Sequence, residues 1–522
     1  MFFSRKSRYS ILEYLPLFFK KKIIKNFFSY CLSFFFGLIV PLAFAPFNIF
    51  HSFFAYLIFL PLSLFFFQLL NTETAKEALL KGWLFGFGLL SMGVSWLYVA
   101  IHDFGAAHWF LAGFLTALFI SAMALYYAAF SWCVFYLRTQ CKKVNFSHKN
   151  TLILFYLPIL WVFFEWLRSW LLTGFPWILA GYPLIETPFS AYAPFVGIYG
   201  LSLLVTFIST LFVVRIRPVF IVISISVLVI VSLVIEKIQW TEVEGNSLNV
   251  ALVQGNVNQS IKWNRLQLEK TKKTYTDLSQ GLWQKNDLIV WPENAIPVFY
   301  HTLEDDFYDK LKQQAIKTQT ELVVGLPVFD DVSGQYYNAM TNLGGQQGFY
   351  YKSHLVPFGE YVPLASLLRG LIKFFDMPMS GFSAADSQQS LPVIQGDKVV
   401  VTLCYEDVYA QDVMQQIPES KWMLNLSNNG WYGDSFAPQQ HLEMARMRAL
   451  ESGRELVRST TSGISAIIDY KGRVLVQGPQ FEKAIIKGVI QPRTGVTPYA
   501  FWGNYPILLL FLIAAVFFWR KL

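Results

Sequence analysis

VVVTLCYEDV, residues 399–408, is an apolar run that ends in a cysteine, with Glu406 and Asp407 close behind it. Successive β-branched residues bounded by polar ones read as a buried strand. A thiol at the end of such a strand is either a small hydrophobe filling the core or a nucleophile held at a strand end. The adjacent acids oppose formation of a thiolate, so groups distant in sequence must activate this cysteine if it reacts.

The surroundings of the strand define a domain over 240–496. SLNVALVQGNV (247–257), DLIVWPENA (287–295), ELVVGLPVF (321–329), KVVVTLCYED (398–407) and KWMLNLSNN (421–429) read as further strands, several apolar on both faces. Strands of that kind belong to a sheet covered on both sides. HLEMARMRALESGRELVRS (441–459) has helical spacing of apolar residues, and ISAIIDYKGRVLVQG (464–478) reads as a hairpin turning at Lys471–Gly472. The stretch 364–382, LASLLRGLIKFFDMPMSGF, reads as an apolar flap able to touch lipid.

Outside this domain the composition changes. Of the 522 residues, 54% are hydrophobic and 15% charged, and the long apolar runs concentrate in 27–236 and 505–519. A soluble chain carries nearer a quarter charged residues. Membrane spans are expected near 27–46, 51–71, 81–101, 109–137, 152–172, 192–214 and 218–236, with an eighth at 505–519. The N-terminus (1–26) is basic, through Arg5, Lys6, Arg8, Lys20, Lys21, Lys22 and Lys25. Alternate connections carry Lys76, then Arg138, Lys142, Lys143 and Lys149, then Arg215 and Arg217, then Arg520 and Lys521, whereas the loops near 47–50, 102–108 and 173–191 have neither Lys nor Arg. By the positive-inside rule both termini are cytoplasmic and 240–496 lies outside. The net charge of +8 is thus a topology signal and a poor argument for nucleic acid. Cys31 and Cys133 fall in spans and Cys141 in an inside loop, which leaves Cys404 without a partner in its own domain. Glu165 and Arg168, one turn apart in a span, are expected to pair or to face a polar cavity, as support at the junction of the two domains or as a headgroup contact.

Glu293 ends DLIVWPE, Lys352 follows the aromatic stretch of 348–351, and Cys404 ends VVVTLC. An acid, an ammonium and a thiol at strand ends suit acyl transfer through a thioester. The carboxylate removes a proton, the ammonium opposes the charge of a tetrahedral intermediate, and the thiolate attacks. No His or Cys cluster has metal-ligand spacing, so no metal or cofactor is called for, and His354 and His441 read as hydrogen-bonding residues.

WPENAIP, YYKSHLVPFGEYVPL, CYED and QHLEMARMRALE closely resemble the apolipoprotein N-acyltransferases of the bacterial envelope. The resemblance extends to PLAFAPFN (41–48), GFPW (174–177) with GYP after it, VQGNVNQSIKW (253–263) and TGVTPYA (494–500). It implies a multi-span α-helical membrane domain joined to a nitrilase-like (carbon–nitrogen hydrolase) α-β-β-α sandwich. By motif, Glu293 is then the general base, Lys352 the oxyanion cation and Cys404 the nucleophile. Glu360 matches a further active-site carboxylate, and Trp263, Tyr405 and Glu406 match supporting or substrate-binding positions. Arg446 and Arg448 are read as ion-pair partners of Glu443 or Glu451, outside the site. Asn429, in SNNGWYG (427–433), stands where Asp is expected in many members, in a loop apart from the triad.

The resemblance further implies ping-pong transfer of a fatty acyl chain from a phospholipid, typically phosphatidylethanolamine, to the α-amino group of a diacylglyceryl-cysteine on an apolipoprotein. The expected setting is the bacterial inner membrane, with the catalytic domain periplasmic and the protein monomeric. A membrane-anchored amidase of the nitrilase type could use the same three residues, but a soluble substrate needs one anchor at most. A transporter or receptor is disfavoured by how few ionisable groups the spans contain.

Overall fold

The computed structural model describes residues 17–141, 146–214, 216–357, 359–361, 381–386 and 388–521. Of the expected flap at 364–382, only Gly381 and Phe382 lie within the described residues. Most of the basic N-terminus also lies outside them.

The membrane part is built from helices α1 (Leu17–Ile39), α2 (Phe59–Leu70), α3 (Ala75–Gly93), α4 (Trp109–Cys141), α5 (Phe146–Arg168), α6 (Ala193–Leu211) and α7 (Pro218–Ile235). Six helical stretches among the described residues are long and apolar enough to cross a bilayer. The expected span at 81–101 is a bent pair, in which α3 meets a second helical stretch, Trp96–Phe104, at 57°. A shorter apolar helix covers Tyr505–Phe517. Glu165 and Arg168 do not bind one another as their spacing suggests. Both grip the 175–180 turn: Glu165 Oε1 accepts the Ala180 N–H at 2.8 Å, and Arg168 donates to the carbonyls of Phe175 and Trp177 at 3.1 and 2.8 Å. Of the readings open from sequence, structural support fits this geometry.

The remaining domain is built on two six-stranded sheets, with a two-residue ribbon, Glu242–Val243 against Arg493–Thr494, beside them. The first uses β1 (Leu248–Gln254), β2 (Leu288–Trp291), β3 (Glu321–Asp330), β4 (Gln335–Leu343) and β5 (Phe349–Tyr351). The second uses β6 (Val393–Ile394), β7 (Asp397–Leu403), β8 (Trp422–Ser427), β9 (Leu456–Thr460), β10 (Ala466–Ile468) and β11 (Val474–Gln477), and β12 (Ala484–Ile490) returns to the first. Spatial orders are β12-β1-β2-β3-β4-β5 and β11-β10-β9-β8-β7-β6. In each sheet a parallel triplet, β1-β2-β3 or β7-β8-β9, is flanked by antiparallel strands. The two-residue period of a strand explains the doubly apolar sequences. Val399, Val401 and Leu403 point into the core between the sheets, while Val400 points to the outer side. The outer face of the first sheet is covered by α8 (Leu268–Ser279), through Tyr275, and by α9 (Asp309–Thr318), through Leu311. The outer face of the second packs on α10 (Ala437–Ser452), and that core runs on without a break into the membrane helices.

The helix expected over 441–459 is shorter than its pattern suggests. Gly453, at φ +64°, ends it in the left-handed conformation that glycine adopts at no steric cost, and Leu456–Thr460 becomes a central strand. The hairpin at 464–478 forms as expected, closed by Gly472 donating to Asp469.

Helix α10 is the mechanical link between the two parts. Gln440 Oε1 accepts from both indoles of Trp96 and Trp177, at 3.2 and 2.7 Å, and Gln440 Nε2 donates to the Gly93 carbonyl at 3.1 Å. Glu443 accepts from the Asn48 side chain, Arg446 pairs with Glu186, and Arg448 pairs with Glu451 at 2.7 Å. The two arginines therefore lie in ion pairs outside the candidate site, although Arg446 chooses a carboxylate of the membrane part.

Candidate active site

Three strand ends converge. Glu293 follows β2 through Pro292, and its turn is pressed against β3. A Cβ at Gly325 would stand 2.7 Å from Glu293 Cα, so only glycine permits this approach. Lys352 follows β5, with its N–H donating to Asn338 O at 2.8 Å. Its ammonium lies 3.3 Å from Glu293 Oε1 and 2.8 Å from Glu360 Oε1. Asn338, on β4, donates Nδ2 to the same two oxygens, at 2.7 and 2.9 Å. Glu360 Oε2 accepts the Val356 N–H at 2.9 Å. Lys352, Glu293 and Glu360 are all buried.

Cys404 follows β7 at φ +55°, an unfavourable conformation for a residue with a Cβ, costing about 1–3 kcal/mol. It turns the chain sharply into a short helical turn, Cys404–Val408. Asn425, buried on β8, secures that turn by donating to the Cys404 carbonyl at 2.9 Å. The charges that weigh most on the sulfur are Glu293, Lys352 and Glu360, and the Asn428 main-chain N–H favours its thiolate form. Burial pushes the thiol up strongly and Glu293 adds to this, against Lys352 and the Asn428 amide. Burial also works against the Lys352 ammonium, but Glu293 and Glu360 outweigh it and hold its pKa well above that of an ordinary lysine. The resting pair is therefore a thiol beside an ammonium, and the thiol needs a base before it can attack.

The supporting residues take different places. Glu406 does not reach the carboxylate cluster. Its Oε1 accepts from Ser353 N, Ser353 Oγ and His354 N at 2.7, 3.0 and 3.0 Å, and its Oε2 from Leu403 N and Tyr350 Oη at 2.7 and 3.1 Å. It fastens the Lys352 segment to the Cys404 turn. Tyr405 donates its hydroxyl to the Leu355 carbonyl at 2.6 Å, and the Lys352 ammonium lies 5.8 Å from its ring centroid. Trp263 stands at the rim, packed with Tyr361 and Trp431 against Leu355 and Phe382. Asn429 touches neither carboxylate: it meets His441 Nδ1 at 3.2 Å and accepts from Arg458 at 3.3 Å. His441 Nε2 meets Asp407 Oδ1 at 2.7 Å, so this histidine belongs to a buried network behind the cysteine. His354 lies 3.1 Å from Asp412.

Three contributors were not recognised in the sequence. Asn338 sits in a strand whose exposed, aromatic start hides its apolar alternation. Asn428 acts through its backbone, which no side-chain pattern can signal. Lys262, beside Trp263, is buried in a segment that otherwise reads as a polar loop.

The membrane part supplies one wall. The Trp96 ring meets Tyr432 edge-on at 4.9 Å, and Phe104 meets Trp431 at 6.3 Å. The bend in the third span thus turns an aromatic segment against the loop that follows β8.

Two family models cover most of the chain: the apolipoprotein N-acyltransferase N-terminal domain over residues 36–211, and carbon-nitrogen hydrolase over 249–499. A curated relative from Methylococcus capsulatus, an apolipoprotein N-acyltransferase, is 37% identical over 90% of this chain and 92% of its own. The chain belongs to the apolipoprotein N-acyltransferase family. An apolipoprotein N-acyltransferase of Coxiella burnetii is likewise 37% identical, over 91% of this chain and 97% of its own. Among solved structures, Nit3 of Saccharomyces cerevisiae, a member of branch 10 of the nitrilase superfamily, matches 51% of this chain and 97% of its own at 16% identity and a TM-score of 0.37. The expected combination of an acyltransferase membrane domain and a carbon–nitrogen hydrolase domain is thus borne out.

Proposed function

We propose that this chain transfers a fatty acyl group from a phospholipid to the N-terminal amine of a diacylglyceryl apolipoprotein, through a thioester on Cys404. Glu293 takes the thiol proton as the sulfur attacks the ester carbonyl of the donor. The tetrahedral oxyanion forms beside the Lys352 ammonium, which offsets its charge in a buried site where water cannot. As the intermediate collapses, the C–O bond breaks and Glu293 returns the proton to the departing lysophospholipid oxygen. In the second half the neutral α-amine attacks the thioester. Glu293 takes its proton and gives it to the leaving sulfur, which restores the thiol and releases the amide. Glu360 and Asn338 hold Lys352 and Glu293 in place throughout.

The observation that carries this reading is the Lys352 ammonium held between two carboxylates, 3.3 and 2.8 Å away, in a cluster whose charges act on the Cys404 sulfur. The fusion of the catalytic core with apolar helices supports lipid substrates over soluble ones, because donor and acceptor can then arrive laterally from one leaflet. The loop charges support cytoplasmic termini and a periplasmic catalytic domain on the inner membrane. Phosphatidylethanolamine is the proposed donor, and a monomer the proposed functional unit.

The test is mass spectrometry of the protein purified with native lipids, reading the peptide that carries Cys404. A fatty acyl mass is expected there, lost on addition of a diacylglyceryl lipopeptide, which gains the same mass at its amine. A wild-type protein that transfers acyl groups without ever carrying one on Cys404 overturns the mechanism.

A further inference from the structure

Lys262 lies in the loop between β1 and α8, its side chain almost fully buried. Its Nζ donates to the Glu293 main-chain carbonyl at 3.2 Å and to Thr461 Oγ1 at 3.4 Å. It forms no ion pair among the described residues. A buried ammonium with only a carbonyl and a hydroxyl as partners is expensive, and an apolar side chain of similar length would serve packing better. The charges that act on it are those of Glu293 and Cys404.

The charge balance of the site gives this cation a purpose. Glu293 and Glu360 face the single ammonium of Lys352. That cluster holds one excess negative charge, and the excess persists when the thiol proton moves to Glu293, since charge only shifts from oxygen to sulfur. Other charged groups nearby have partners of their own: Glu406 accepts from five donors, and Arg458 pairs with Asp407 at 3.2 Å. Tyr405 and Tyr432, both close to Cys404, are held protonated by burial.

Resting on the acyl-enzyme reading above, we propose that Lys262 is a positioning residue for the transfer, a second ammonium that holds the Glu293 turn and offsets the excess negative charge around Cys404 and Glu293. Its setting agrees with a role tied to that charge. Burial pushes Lys262 down to about 8, and Glu293 and Cys404 pull the other way. Ionisation of the sulfur draws the lysine proton on more tightly, and the lysine in turn favours the thiolate.

The experiment uses the full chain in lipid nanodiscs and iodoacetamide as the probe of Cys404, read as the alkylation rate at pH 7 without apolipoprotein. Lys262→Met removes the charge, and Lys262→Arg keeps it. The methionine variant is expected to label about tenfold more slowly, the effect of raising the thiol by about one pH unit. The arginine variant should label at close to the wild-type rate. An unchanged rate in Lys262→Met overturns the proposal. Lys262→Gln retains hydrogen bonding without charge and takes the same test if the methionine variant misfolds. Misfolding of both neutral variants overturns the proposal in favour of a purely structural lysine. Because alkylation needs no acyl transfer, a wild-type protein that forms no thioester would refute the functional reading and leave the Lys262 result standing.

Discussion

Glu406 accepts the Ser353 main-chain N–H at 2.7 Å, and with that bond joins the segment bearing Lys352 to the turn bearing Cys404. Its other oxygen accepts the Leu403 N–H at 2.7 Å, so both oxygens must act as acceptors toward main-chain donors. Glu406→Gln puts an NH2 group against a backbone donor whichever way the amide turns. The expected loss is about 1–3 kcal/mol of stability, together with at least a tenfold fall in acyl-enzyme formation. Thermal unfolding and Cys404 acylation measured on one preparation check this. Full acylation in a stably folded variant would remove the fastening role.

Gly325 lets β3 pass the Glu293 turn with 2.7 Å between a notional Cβ and Glu293 Cα. Gly325→Ala must move one backbone or the other. A loss of about 1–3 kcal/mol is expected, with activity reduced further than stability because Glu293 itself is displaced. Initial rates against thermal midpoints separate the two effects.

Asn338 donates to Glu293 and Glu360 with one nitrogen. Asn338→Asp would aim a third acid at two others, and like charges in a buried site resist ionisation. Turnover at pH 7 is expected to fall at least a hundredfold. Asn338→Ser, which keeps a shorter donor, should fall less; equal loss in both would count against the charge argument.

Glu443 lies in the seam between α10 and the membrane part, where burial pushes it up to about 7. An acid with a raised folded pKa binds more protons folded than unfolded between pH 4.5 and 7. Its cost is therefore absent below that window and fully present above it, at about 3 kcal/mol. Glu451 on the same helix, also pushed up to about 7 by burial, adds a slope of the same sign. The wild-type midpoint should fall as pH rises from 5 to 8, and Glu443→Gln should flatten that fall. A variant with the wild-type slope would show that Glu443 does not titrate in the window.

Much of the architecture could be read from the chain alone. Apolar length marked the spans, because a bilayer imposes a minimum on any segment that crosses it. The strand ends bearing Glu293 and Cys404 were visible because buried parallel strands are continuously apolar and polar residues stand out where they stop, and Lys352 stood out as the cation that closes an aromatic run. Local pattern failed where a distant contact outranked it. LVRST at 456–460 continues a helical spacing, yet pairs between β8 and β10 once Gly453 has turned the chain.

What only the tertiary structure decided is which polar groups meet. Lys352 and Glu293 are 59 positions apart, and no periodicity carries information over that distance. The roles of Asn338, the Asn428 amide and Lys262 depend on the stacking of two sheets, which places loops from separate strands within hydrogen-bond range. The bend after Gly93 and the anchoring of Gln440 are likewise products of packing, since the indoles that hold that glutamine come from two different membrane segments.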